Sequence, residues 1–124
     1  MLVVDACAIG ALLFGEPDAE AVAERIGNTP LAAPSLLWYE LASVCRKKIA
    51  AHPRKAAKLL EAFTLIDGLQ ISAVAIDHHA TIGLAKQQRL SVYDASYLWL
   101  ARYLRVDIVT LDKQLLRALK ADVG

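Results

Sequence analysis

What most constrains this chain is an alternation. Apolar runs too short for helices are separated by longer segments whose apolar residues recur three and four positions apart. The short runs are Leu2-Val3-Val4, Leu31-Ala32-Ala33, Leu69-Gln70-Ile71 and Asp107-Ile108-Val109-Thr110-Leu111, and they read as buried strands. Ala8 to Phe14 reads as a helix stopped by Gly15. Pro17 opens a second, in which Ala19, Val22, Ala23 and Ile26 share a face before Gly27-Asn28. Ser35 is a natural N-cap for a helix running to about Ile49, with Leu37, Leu41, Val44 and Cys45 in its stripe. Pro53 opens another, carrying Ala56, Leu59, Leu60 and Phe63, and Asp67-Gly68 is a turn. Helices are expected from Ile76 to about Gln88, from the Ser91 cap to about Leu104, and around Leu115, Leu116 and Leu119. Strands alternating with helices predict an α/β fold, with a mainly parallel sheet of four or five short strands flanked by helices. At 124 residues, 56% of them apolar, the chain suits one domain spanning residues 1–124 with a sizeable core.

The formal net charge is only +1, so the strongly basic footprint of many nucleic-acid binders is absent. A nucleic-acid enzyme is not thereby excluded, because local charge matters more than the total. The N-terminus lacks a basic region and a cleavage site, and no apolar run approaches the ~20 residues of a membrane span. A soluble, cytoplasmic chain is expected. Cys7 and Cys45 are then two free thiols, and no CxxC spacing points to zinc or redox work.

Ligands of parallel sheets bind beyond the carboxyl ends of the strands. Asp5 and Asp112 directly follow two expected strands, at that edge. Two further acids lie near the starts of helices and face inward. Glu40 falls between Leu37 and Leu41, and Asp94 shares a face with Leu98 and Ala101. Singly, each acid has a plainer role. Asp5 can be a turn or cap residue, Asp94 can help cap its helix, Glu40 can pair with Arg46, and Asp112 can cap the last helix. Together they form four acids at one end of one sheet. A buried, unpaired carboxylate is expensive, so a compensating partner is expected. Carboxylate oxygens suit hard cations such as Mg²⁺ and Mn²⁺, and such ions serve phosphoryl chemistry.

Val3-Val4-Asp5-Ala6, the run Pro34 to Leu41 around Glu40, the run Leu90 to Leu98 around Asp94, and Val109-Thr110-Leu111-Asp112 carry a resemblance in their order and spacing. The chain resembles the PIN domain, and within it the VapC-type toxins of bacterial and archaeal toxin–antitoxin pairs. The resemblance covers nearly the whole chain. It implies a PIN-like three-layer sandwich and Mg²⁺- or Mn²⁺-dependent hydrolysis of RNA that leaves a 5′-phosphate. It also implies a VapB-like antitoxin that blocks the site, and a homodimer. Carried over by position, Asp5, Glu40, Asp94 and Asp112 are the catalytic, metal-holding acids, with Asp5 and Asp94 the leading metal ligands and Thr110 a hydrogen-bonding neighbour. The chain departs from the pattern twice. Cys7 stands where the family usually has Ser or Thr, and a thiol is a poorer hydrogen-bond partner for a carboxylate or water. A final edge strand common in the family is expected to be short or missing.

Arg46, Lys47 and Arg54 belong to the densest basic region. It reads first as a solvated helix face, with contact to the RNA backbone as the other reading. Trp38, Tyr39, Tyr93, Tyr97 and Trp99 read first as core or dimer-interface residues, with base stacking as the alternative. His78 and His79 are adjacent on a helix, so they point about 100° apart and are poorly placed to clamp one metal. A receiver-like phosphoacceptor signalling domain is the main rival from another class. It lacks support here: no Asp follows Leu69-Gln70-Ile71, and Asp5 has no acidic neighbour. A PIN fold that binds RNA without cutting it is the remaining alternative.

Overall fold

The computed structural model describes residues 1–123, with side chains through residue 121. Among these residues, four strands form one sheet: β1 (Leu2–Val4), β2 (Leu31–Ala33), β3 (Ser72–Ala73) and β4 (Ile108–Val109). Their order is β3-β2-β1-β4 and every pairing is parallel. Parallel strands need crossovers, and helices supply them. These are α1 (Ala6–Leu13), α2 (Ala19–Ile26), α3 (Leu36–Ala51), α4 (Ala56–Thr64), α5 (His78–Gln88), α6 (Val92–Leu104) and α7 (Lys113–Val123). The sheet is thus a central parallel one flanked by helices. β4 is an outer strand and α7 follows it, so no fifth strand extends the sheet among the described residues. Among the described residues, no helix is long and apolar enough to cross a membrane.

The three-residue strands β1 and β2 are held by burial. Val3, Val4, Ala32 and Ala33 are wholly inaccessible, and Ile9, Leu37, Leu41, Leu98 and Leu100 close over the sheet from α1, α3 and α6. The apolar alternation in the helices therefore marks their inner faces. Gly15 and Gly27 adopt φ of 62° and 52°, the left-handed conformation in which glycine carries no Cβ penalty, and α1 and α2 stop there.

Two expectations need correction. The third strand is Ser72–Ala73 and not Leu69-Gln70-Ile71, because Leu65–Leu69 winds into a 3₁₀ turn and Gln70 turns left-handed at φ 51°. Leu69 and Ile71 are partly buried against the core, so their apolar signal reported burial rather than pairing. Ser35 does not cap α3. It already has helical angles, and the Pro34 carbonyl accepts the Leu37 N–H at 3.0 Å, so the turn is closed by backbone. Boundaries also move: Pro53 opens a 3₁₀ turn through Lys55 before α4 begins, and Asp77 starts α5 by accepting the Ala80 N–H at 3.0 Å.

The chain builds β1, β2 and β3 outward in one direction, then returns to place β4 on the other side of β1. The crevice beyond the carboxyl ends of β1 and β4 is therefore the topological switch point, where open parallel sheets bind their ligands.

Candidate active site

Asp5 and Thr110 are the residues that leave β1 and β4. The register Val4 to Val109 sets them side by side, and the Asp5 N–H donates to the Val109 carbonyl at 3.4 Å. Asp5 is buried at 3% exposure. One carboxylate oxygen, Oδ1, accepts the Ala8 N–H at 2.9 Å, which makes Asp5 the N-cap of α1. The other, Oδ2, accepts the Thr110 hydroxyl. Thr110 Oγ1 in turn accepts the Asp112 N–H at 2.9 Å. Asp112 Oδ1 accepts the N–H groups of Gln114 at 2.9 Å and Leu115 at 3.0 Å, so this acid opens α7. A continuous hydrogen-bonded path thus runs from α7 through Thr110 to Asp5.

The other two acids enter from α6 and α3. Asp94 sits in the first turn of α6, and its N–H is capped by the Ser91 hydroxyl at 3.0 Å. Glu40 is one turn into α3 and half-buried. The partner of Glu40 is not Arg46, which is exposed further along the helix, but Tyr97, whose hydroxyl donates to Oε1 at 2.5 Å. Tyr97 is almost fully buried, as its first reading as a core residue expects, but neither that reading nor base stacking anticipates a bond to Glu40. The signal available was its position three residues after Asp94, which puts it on the same face of α6 as the acid.

All four acids therefore stand at or near helix N-termini, where unsatisfied N–H groups and the helix dipole favour negative charge, each by roughly 0.3–1 kcal/mol when exposed. That support does not cancel the cost of bringing them together. Burial, reinforced by the charges of Asp112 and Glu40, pushes the Asp5 carboxyl up to about 6, against the opposing hydrogen bonds from Thr110 and Ala8. Glu40 is raised by burial and by Asp94, with Tyr97 opposing, and Asp94 is raised by burial and by Asp112, with Ser91 opposing. The Tyr97 hydroxyl is raised by burial, by its bond to Glu40 and by the charges of Glu40, Asp5 and Asp94. Cys7, in the first turn of α1, is an exposed residue with a partly desolvated thiol. That desolvation and the surrounding Asp5, Asp112, Asp94 and Glu40 push it up to about 11, so the thiol stays neutral at neutral pH.

Among the described residues, no three His, Cys, Asp or Glu side chains close into a ready metal cage. The donor set is nonetheless all oxygen and anionic, which fits Mg²⁺ or Mn²⁺. Mg²⁺ keeps several waters and is commonly held by one or two carboxylates together with substrate phosphate. Asp5 uses one lone pair on each oxygen, and a carboxylate offers about four lone-pair positions in all, so donors are left over.

The basic residues are not brought to this corner. Arg46 and Lys47 lie one and a half to two turns beyond Glu40 on α3, Arg54 lies past its end, and all three are exposed. A large hollow, about 690 Å³, is also displaced. It runs between α2, α6, β4 and α7, and Thr110 is its one residue from the polar path just described. Size therefore points away from the chemistry, and the switch point and acid placement are the better guides.

The PIN domain family profile matches residues 2–120. The crystal structure of PAE2754 from Pyrobaculum aerophilum superposes with a TM-score of 0.78, covering 94% of this chain and 83% of that one at 23% identity, a likeness of fold. No curated protein matches the sequence.

Proposed function

Because this chain belongs to the PIN domain family, whose members are generally nucleases, we propose that it is an Mg²⁺- or Mn²⁺-dependent endoribonuclease, the VapC-like toxin of a toxin–antitoxin pair. The observation that carries this reading is the convergence of Asp5, Glu40, Asp94 and Asp112, each raised or raising another, at the switch point of the sheet. A fold that merely bound RNA would have no use for four mutually repelling acids, since phosphate is itself anionic.

Asp5 and Asp94 would hold the cation, with Glu40 and Asp112 contributing directly or through water. When bound, such an ion polarises a phosphoryl oxygen, lowers the pKa of an attacking water and offsets developing negative charge. The chain's own groups supply orientation. Thr110 fixes the rotation of the Asp5 carboxylate, and Tyr97 fixes that of Glu40. With Oε1 engaged, Glu40 Oε2 is available to take a proton from water, and its raised proton affinity suits a general base. The N-termini of α1, α3, α6 and α7 favour an incoming phosphate once the acids are neutralised.

In the toxin reading, a cognate antitoxin inserts a basic side chain among the acids and competes with the cation, and two copies of the chain pair. The test combines cleavage with thermal melts. Cleavage of a structured RNA to 5′-phosphate ends should be lost on chelation and restored by Mg²⁺ or Mn²⁺. Asp94→Asn should fold, cut at least about a hundredfold more slowly, and gain less melting temperature from the cation than the parent does. An Asp94→Asn variant that cuts at the parent rate would sink the site. Expression should slow growth in the parent and not in Asp5→Asn, and equal slowing by both would remove the catalytic basis for toxicity.

A further inference from the structure

A second hollow, about 290 Å³, opens on the same carboxyl edge of the sheet as the acids. Its walls are the first turns of α3, α5 and α6 and the segment leaving β3, represented by Ser35, Leu36, Val74, Ile76, His78 and Tyr93. It adjoins the acid site through two helices. Leu36 lies one turn before Glu40 on α3, and Tyr93 immediately precedes Asp94 on α6. The volume is at or below the small end of ligand pockets, ~300–1,000 Å³, which leaves room for one flat ring system.

The lining specifies the chemistry of the occupant. Among the described residues, no Asp, Glu, Lys or Arg lines this hollow, so it is built for an uncharged group, unlike the corner beside it. Its floor is apolar, with Leu36, Val74 and Ile76 partly buried against the core. The Tyr93 ring stands 62% exposed at the rim. Ser96 also lines it but donates its hydroxyl to the Val92 carbonyl at 2.8 Å, which leaves two further polar side chains to complete it. Ser35 occupies the position before α3 yet does not spend its hydroxyl on capping, and exposed His78 brings an imidazole that, when neutral, both donates and accepts. An aromatic face, an aliphatic floor and two hydrogen-bonding edges match a heteroaromatic base.

The geometry points to a nucleobase site: the hollow seats one unpaired base of the RNA strand beside the phosphate held at the acids, with Tyr93 stacked on its face and Ser35 and His78 reading its edge. This rests on the nuclease reading and adds to it the place where one base is read. A base inside a duplex keeps its faces stacked on its neighbours, so the base seated here is an unpaired one. Tyr93, Ser35 and His78 are then positioning residues, which act on binding and on the choice of cut.

Binding is measured separately from cutting. Asp94→Asn chain in Mg²⁺ is titrated with fluorescein-labelled single-stranded heptaribonucleotides, in which each base in turn is replaced by an abasic ribose. Removing the base at one position should weaken binding roughly five- to hundredfold, the range for base–aromatic stacking. Adding Tyr93→Ala should cost a similar factor on the intact probe and little more on that abasic one, and Tyr93→Phe should restore most of it. In otherwise native chain, Tyr93→Ala should raise KM, change kcat less, and flatten the base preference at the cut. Tyr93 is exposed, so the variant should melt with the parent.

Unchanged base dependence in both Tyr93→Ala and His78→Ala would overturn the site. So would a Tyr93→Ala that turns dimer into monomer and leaves the abasic penalty intact, because the hollow would then be a contact between copies. A chain that binds with this base dependence and cuts nothing keeps the base site and overturns the nuclease reading. A chain that cuts without base preference does the reverse, and one that neither binds nor cuts overturns both.

Discussion

The two ends of α3 carry opposite chemistry on opposite kinds of support. At its start, Leu37 and Leu41 are fully buried on either side of Glu40, and the carboxylate is fixed by Tyr97 at 2.5 Å. At its end come Arg46, Lys47 and Lys48, and from Arg46 to Leu65 no residue is buried. That arm returns along α4, tied back by contacts such as the Cys45 thiol to the Leu59 carbonyl at 3.6 Å. Lys48 settles into an ion pair with Glu16 at 3.1 Å and lies over the Phe14 ring. The net charge of +1 conceals this separation of acids from bases along one helix. Exposed charges cost little and say little, whereas charges crowded into a supported, half-buried corner cost stability and call for a functional reason.

Removing one charge from each end of α3 should have unequal effects. Glu40→Gln keeps the size of the side chain and an acceptor for Tyr97, but cannot take up a proton. Cleavage should fall about a hundredfold or more, with folding stability unchanged or raised because repulsion with Asp94 is relieved. Arg46→Ala should lower cleavage less than about tenfold and move stability by no more than ~0.5 kcal/mol. Single-turnover cleavage and thermal melts of both variants decide it. Equal losses at the two ends would make the basic arm part of the chemistry, and no loss at Glu40 would displace the site.

A pH series sharpens the same contrast through stability. Asp5 titrates at about 6 in the fold, against an ordinary value of 3.8. Between those values the folded chain holds a proton that the unfolded chain releases, so its contribution rises as pH falls through about 6. The gain is complete near pH 4 and lost by pH 7. At ~1.4 kcal/mol per pKa unit it amounts to about 3 kcal/mol. Glu40 and Asp94, also raised, add in the same direction. In chelating buffer the parent should therefore gain stability from pH 7 toward pH 4 relative to Asp5→Asn, whose amide does not titrate there. Denaturant melts of the two chains across that range measure the difference. Parallel curves would mean that Asp5 is not held at a cost.

The fold was legible where local pattern and burial agree. β1, β2, α2 and α6 lie close to where the apolar spacing puts them, because each buries one face against the same core. The third strand was misplaced because Leu69 and Ile71 are core anchors flanking a left-handed Gln70, and apolar character alone does not separate an anchor from a strand. The parallel order β3-β2-β1-β4 followed from alternation only in part, since nothing local says that β4 returns to the far side of β1. At the site, Asp5, Glu40, Asp94 and Asp112 could be singled out because acids on apolar faces or directly after strands break the expected pattern. The bond from Tyr97 to Glu40 joins residues 57 apart, and the bond from Thr110 to Asp5, which continues the path from Asp112, joins residues 105 apart. Those partners depend on how α3, α6 and the two strands are brought together, and sequence spacing does not hold that information. Ser35 failed as a cap for a local reason, because Pro34 already closes the turn.

The smallest effect, and the most informative about the arm, is the salt dependence of RNA binding. If Arg46, Lys47 and Arg54 each neutralise a phosphate, replacing all three by Ala should flatten the slope of log K against log salt by about 2, from ~0.7 per contact on single strands. Affinity should drop most at low salt and converge with the parent as salt rises. The loss should be uniform across RNA sequences, because phosphate contacts position a strand without reading it. Arg46, Lys47 and Arg54 are all exposed, so the triple variant should melt within about 1 kcal/mol of the parent. That makes a change in binding attributable to charge alone. A slope unchanged between parent and triple variant would identify the basic end of α3 as a solvated face. The acid corner would then have to draw its substrate through the helix N-termini and the bound cation without help from this patch.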